Sequence, residues 1–164
     1  MQIVYWPDER LLRRTRAVKL TDSKELTELE GVLRRVMEEE YGIGIAAPQV
    51  GSELRVCLVK LDLNKPAELL INPRITGRAS RLVLGDEGCL SFPGLHLRVW
   101  RHEWVDVAWI DEYGNQLEAR ANGIPGVCVQ HEIDHLEGKT FLDRIKKRER
   151  KDVLRRWHPP HRTG

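Results

Sequence analysis

Apolar positions along this chain recur with two different periods, and the switches between them outline its elements. From Leu20 to Gly42, residues Leu26, Leu29, Leu33, Val36 and Met37 return every three or four positions, which places one stripe on a helix. Asp22 followed by Glu25 resembles a capping box for its start, and Gly42 offers a stop. The period then shortens. "LRVCLVKL" (54–61) and "AELLIN" (67–72) read as strands, with Pro73 as a stop. "ITGRASRLVL" (75–84) and "LRVWRHEWVDVAWI" (97–110) are strand-like, and "DEYGN" is a turn before "QLEAR". A helical stretch returns in "GIPGVCVQHEIDHLEG", with Pro125 suited to its first turn and Gly138 to its end. Ile145, Val153, Leu154 and Trp157 predict a last helix between Asp143 and Trp157. The order of helix, many strands and then helices predicts an α+β fold, with antiparallel strands wrapped around the helix from Pro125 and a C-terminal helix behind it.

No repeat, low-complexity segment or linker interrupts this pattern, and 164 residues suit a single core. Composition is that of an ordinary globular chain, 41% hydrophobic and 32% charged, and no apolar run approaches a membrane span. The opening "MQIVYWPDERLLRRTR" lacks the apolar stretch of a secretory signal, and Asp8 and Glu9 argue against a transit peptide. Cys57, Cys89 and Cys128 are an odd number without an export signal, so the expected compartment is the reducing cytoplasm. Charge changes the picture at one end. Residues 144–164 hold nine basic and two acidic side chains, net +7, leaving residues 1–143 at −5. A catalytic domain over 1–143 followed by a basic, partly helical tail over 144–164 is the expected division.

The chemistry is concentrated in "QHEIDHLEG" (130–138). His131 and His135, four apart, share a helix face and can hold one metal ion, with Glu132 placed as a general base. A catalytic site needs a third protein ligand and an open position. The metzincin pattern fails, because Phe141 stands where its third histidine would be. Glu137 points off the shared face, and Glu149 and Asp152, in the basic tail, remain weaker candidates. Cys128 lies on that face, but it is seven residues from His135, roughly 10.5 Å along a helix, too far for a short thiol arm. Spacing leaves Cys89 and Cys57 open, with Gly88 favouring close approach at Cys89.

Three segments in register resemble peptide deformylase: "GIGIAAPQVG" (42–51), "EGCLS" (87–91) and "QHEIDHLEG". The opening "YWPDERLLRRT" is similar to that family's start, so the likeness spans about residues 3–145. Pro125 and Gly126 depart from the family's usual helix start, the stretch around Leu95 and His96 falls where the family varies, and the tail is not matched. The resemblance implies that Cys89 is the third ligand, that Fe²⁺ is the working ion with Zn²⁺, Ni²⁺ or Co²⁺ as substitutes, and that the reaction removes the formyl group from formyl-Met nascent chains. It implies that water on the metal attacks the formyl carbon, with Glu132 as base and with Gln49 and the Leu90 N–H as oxyanion donors. Asp134 would orient a ligand, and Glu87 with Arg101 would brace the loop. Gly42 and Gly44 would admit substrate, and Ile43, Ile124, Val127 and Cys128 would line an apolar pocket for the methionine side chain. No DNA or membrane partner is expected. The basic tail, through Lys146, Lys147, Arg148, Arg150, Lys151, Arg155 and Arg156, would meet the ribosome.

Overall fold

The computed structural model describes residues 2–159, so the end of the basic tail, including Arg162, lies outside the described residues. The expected stripe forms helix α1, Ser23–Glu39, which buries Leu29, Leu33, Val36 and Met37. Its ends differ from expectation. The Asp22 carboxylate is taken by the Lys19 N–H at 2.7 Å and by Arg16 at 2.8 Å, and Glu25 turns to Arg16 at 3.3 Å, so that capping box is not made. At the other end Tyr41, at φ +53, takes the left-handed position and Gly42 does not. The Gly42 N–H reaches the Met37 carbonyl at 2.9 Å and the Tyr41 N–H reaches Glu38 at 3.2 Å, which closes the end as a Schellman motif.

A five-stranded antiparallel sheet has the order β1-β2-β3-β6-β7. Its strands are β1 Gly44–Ala46, β2 Val56–Val59, β3 Glu68–Arg78, β6 Trp104–Ile110 and β7 Gln116–Asn122. Strands β4, Leu82–Gly88, and β5, His96–His102, pair separately as a two-stranded ribbon. Three boundaries move. Pro73 does not stop a strand: β3 runs through it with a slip in register between Ile71 and Arg74. Asn72, at φ +50, marks that bulge, and its side chain is held on both sides of the Val18 peptide, at 2.8 and 3.2 Å. The stretch 75–84 divides at residues 79–81 between β3 and β4, and 97–110 divides at Glu103, because in each case the chain passes from one sheet to the other.

Alternation decides what each face holds. Ile45, Val56, Leu58, Leu69 and Ile71 point to α1, while Ala46, Cys57, Val59, Leu70, Val105 and Val107 point to the opposite side. Helix α2, Gly123–Leu136, fills that opposite side and is buried continuously from Cys128 to Leu136. It starts before Pro125, at Gly123 with φ +57. The result is the α+β architecture expected, with a central helix against antiparallel strands.

After α2 comes a 3-10 turn, Phe141–Arg144, and then α3, Lys147–Arg156, in place of one continuous helix. Val153, Leu154 and Trp157 pack against a cluster built on Phe92 and Phe141, and the Trp157 indole N–H donates to the Pro93 carbonyl at 3.1 Å. The division expected at 143/144 thus cuts through the 3-10 turn. Among the described residues no helix is long and apolar enough to cross a membrane.

Candidate active site

Helix α2 carries Gln130, His131, Glu132, Asp134 and His135, all of them buried. Buried polar side chains on a helix cost free energy unless each has a task or a partner. Gln130 has partners. It accepts the His102 N–H at 3.0 Å and donates to the His102 carbonyl at 2.9 Å, clipping the end of β5 to α2. That clip brings the β4–β5 ribbon over the histidines.

Cys89 follows β4 directly. Its sulfur lies 3.3 Å from His135 Nε2, which lies 3.2 Å from His131 Nε2. The three donor atoms fall within 4.8 Å of one another. A thiol and two imidazoles converging in this way form a donor set that suits zinc or ferrous iron. The His131 Nδ1–H donates to Glu87 at 2.8 Å, which leaves Nε2 with its lone pair turned to the centre. His135 Nδ1 is buried with no partner among the described residues. In the metal-free chain burial disfavours the His131 imidazolium, but Cys89 and Glu87 outweigh it and raise its pKa well above the ordinary value. Burial and the neighbouring His131 push His135 well below.

Behind the centre runs a ladder of charges. Arg101 binds Glu87 through two bonds, at 2.6 and 2.9 Å, and Asp134 at 2.6 Å. Arg144 holds the far side of Asp134, at 2.8 Å to one oxygen and with a second bond to the other. Burial would raise the Glu87 carboxyl, but the bonds from Arg101 and His131 bring it down to about 2.

In front lies a cavity of about 780 Å³ that reaches Gly42, Ile43, Gly44, Gln49, Glu87, Cys89, Leu90, Ile124, Val127, Cys128, His131 and Glu132. Gly44 sits where a Cβ would come within 2.8 Å of Glu132 Oε1 and collide with the Cys128 sulfur, so glycine lets β1 lie against α2. Gln49 is turned by the Ala46 N–H, which binds its Oε1 at 2.9 Å. Its Nε2 therefore faces Cys89, at 3.6 Å, and the Ser91 hydroxyl, at 3.3 Å. Glu132 Oε2 is buried without a partner among the described residues, and burial pushes that carboxyl to about 7. Cys128 stands 4.0 Å from Glu132 Oε1, apart from the three donors, and burial drives its thiol and that of Cys57 well above the usual range.

Of the expected residues, Arg101 and Asp134 stand behind the centre, His135 lies wholly buried against Cys89 and His131, and the others reach the cavity. Ser91, Gln130 and Arg144 were not anticipated. Ser91 lies in the quoted "EGCLS" and is wholly buried, but nothing in its spacing announces a partner. Arg144 stands in a run of like charges and is indistinguishable there.

An H-E-x-x-H helix, a cysteine brought in from a neighbouring ribbon and an adjoining cavity with a raised carboxyl define a metal-dependent hydrolase. Comparison with known proteins makes this specific. The polypeptide deformylase profile matches residues 1–151, and the chain belongs to that family. A peptide deformylase of Treponema pallidum (strain Nichols) is 41% identical over 144 residues, 84% of this chain and 88% of that one. One from Picosynechococcus is 36% identical over 149 residues, 89% and 79% of the two chains. The crystal structure of a peptide deformylase from Legionella pneumophila superposes with a TM-score of 0.87 at 34% identity, covering 95% and 92%. One from Synechococcus elongatus, in complex with actinonin, gives 0.86 at 37% identity, covering 94% and 85%.

Proposed function

We propose that this chain removes the formyl group from formyl-methionyl nascent peptides, using a ferrous ion held by Cys89, His131 and His135. The observation that carries the reading is the convergence of those three donors beside the unpartnered oxygen of Glu132. The ion, when bound, supplies Lewis-acid activation of water at near-neutral pH. The chain does the rest. Glu132 takes the proton of the attacking water and returns it to the leaving amine, and its burial, which raises the carboxyl in the metal-free chain, favours both roles. The Gln49 amide and the Leu90 N–H donate to the oxygen on which charge develops. Ile43, Ile124, Val127 and Cys128 receive the methionine side chain, and Gly42 and Gly44 leave room for the peptide. Glu87 orients His131, and Arg101 and Asp134 hold Glu87. Zinc, nickel and cobalt fit the same donors. Iron on a thiolate makes the site sensitive to oxygen.

The test is turnover of formyl-Met peptides by protein purified without air, against acetylated and unblocked peptides. Hydrolysis confined to the formylated series is expected, with loss of activity in air for the iron form and much less for the nickel form. Equal cleavage of internal peptide bonds would overturn the reading. Actinonin, bound by the Synechococcus elongatus protein, is expected to block the same cavity.

Cytoplasmic action on chains leaving the ribosome follows from the substrate. Lys146, Lys147, Arg148, Lys151, Arg155 and Arg156 are exposed on or beside α3, whereas Arg150 is drawn to Asp143 at 2.9 Å. Residues 144–164 act in this reading as the basic contact with ribosomal RNA phosphate. Reversing Lys147, Arg148 and Lys151 to glutamate is expected to abolish co-sedimentation with ribosomes at low salt and to leave turnover of free peptides unchanged.

A further inference from the structure

Arg144 is the first residue of the basic segment, yet its guanidinium turns inward. Its side chain is 41% exposed, while the Asp134 that it grips is 6% exposed, so the contact runs from solvent to interior. Asp134 Oδ1 has no other side-chain partner among the described residues, and Oδ2 is shared between Arg144 and Arg101. Four side chains then alternate in sign, Arg144, Asp134, Arg101 and Glu87, and the last of them accepts from His131 Nδ1 at 2.8 Å. We propose that Arg144 is a positioning residue for the metal centre, acting through Asp134, Arg101 and Glu87 on His131. This rests on the reading of Cys89, His131 and His135 as ligands.

Arg144 and Arg101 compete for the same carboxylate. Without Arg144, one oxygen of a buried carboxylate loses its donor, and Asp134 must draw more on Arg101. Among the described residues Arg101 alone holds both Glu87 oxygens, so any shift toward Asp134 loosens the carboxylate that orients His131. A ligand whose ring is less well held releases metal faster, and losing an outer partner of this kind typically costs about 10- to 100-fold in affinity. Arg144 also belongs to the turn between α2 and α3, so a purely structural role, docking the last helix, must be separated from this one.

The experiment loads the full chain with cobalt and follows its loss to excess chelator by absorbance. Arg144→Gln is expected to speed release about tenfold, near the lower end of that range. Arg144→Lys, which keeps the charge without the fork, recovers part of the loss. Leu154→Ala, which weakens α3 docking, lowers the thermal midpoint of the metal-free protein but leaves release within about twofold. In an Asp134→Asn background, Arg144→Gln adds nothing further. Release within twofold of the unsubstituted chain for Arg144→Gln, equal acceleration by Leu154→Ala, or additivity in the Asp134→Asn background overturns the proposal. Failure of the unsubstituted chain to take up cobalt overturns the ligand reading and the proposal with it.

Discussion

The two sides of the histidine pair are built on opposite principles. Behind them every charge is answered: Glu87, Arg101, Asp134 and Arg144 alternate in sign with short bonds between all neighbours. In front, Glu132 is equally buried but keeps one oxygen unpaired. Two glutamates of similar burial are thereby driven in opposite directions, Glu87 down to about 2 and Glu132 up to about 7. Satisfied groups hold geometry, and unsatisfied groups remain available to react.

The sharpest break in this contrast is Glu132→Gln. It is expected to cut kcat/KM about 10³-fold with metal content unchanged, measured by turnover and metal analysis. Its effect on the metal-free fold runs the other way. A folded pKa raised from 4.5 to about 7 means that stability falls as pH rises through that window. Removing the buried charge is therefore expected to stabilise the metal-free protein at pH 8 by up to about 3 kcal/mol, read by denaturant unfolding. Normal turnover with metal in place would remove Glu132 from the reaction.

Next in size is the cysteine pair. Cys89→Ser is expected to weaken metal retention by more than about 100-fold, exceeding the loss of an outer partner, and Cys128→Ser to leave it unchanged. The reverse pattern in metal content would exchange their roles. Glu87→Gln follows, at about 10- to 100-fold in metal affinity. The sign for Glu87 is the usual carboxylate one. Its stabilisation is full above pH 4.5 and is lost as pH falls through about 2, so the acid limb of metal-free unfolding carries about 3 kcal/mol that Glu87→Gln abolishes. A superimposable acid limb in the two proteins would count against the paired ladder.

The smaller tests concern backbone. Gly44→Ala sets a Cβ 2.8 Å from Glu132 Oε1 and should destabilise the chain by about 1–3 kcal/mol, seen as a lower thermal midpoint. Tyr41→Gly relieves a left-handed residue, worth about 1–2 kcal/mol, against about 0.5–1 kcal/mol of added chain freedom. A gain of about 0.5 kcal/mol is expected.

What could be read beforehand follows the same division. Features set by local spacing were legible: the juxtaposition of His131 and His135 by their four-residue interval, and α1 by its stripe. Resemblance supplied Cys89, which spacing had left open against Cys57. What depends on distant pairing was not. The passage of the chain between sheets at Glu103 leaves a continuous apolar alternation, and Pro73 is tolerated only because a bulge and the Val18 peptide accommodate it. The bond from Arg144 to Asp134 crosses out of a segment that reads as uniformly basic.

Gln130 and its two bonds to His102 have a consequence for the polymer as a whole. The ribbon and α2 are remote along the chain, so an ion shared by Cys89 and His131 would close a loop of about forty residues, much as a disulfide would. Gln130 already holds the same two segments together, so much of that closure entropy is lost before any ion arrives. The protein is thus expected to present its donors assembled, and to bind metal as a preorganised host whose own folding does not wait upon the ion.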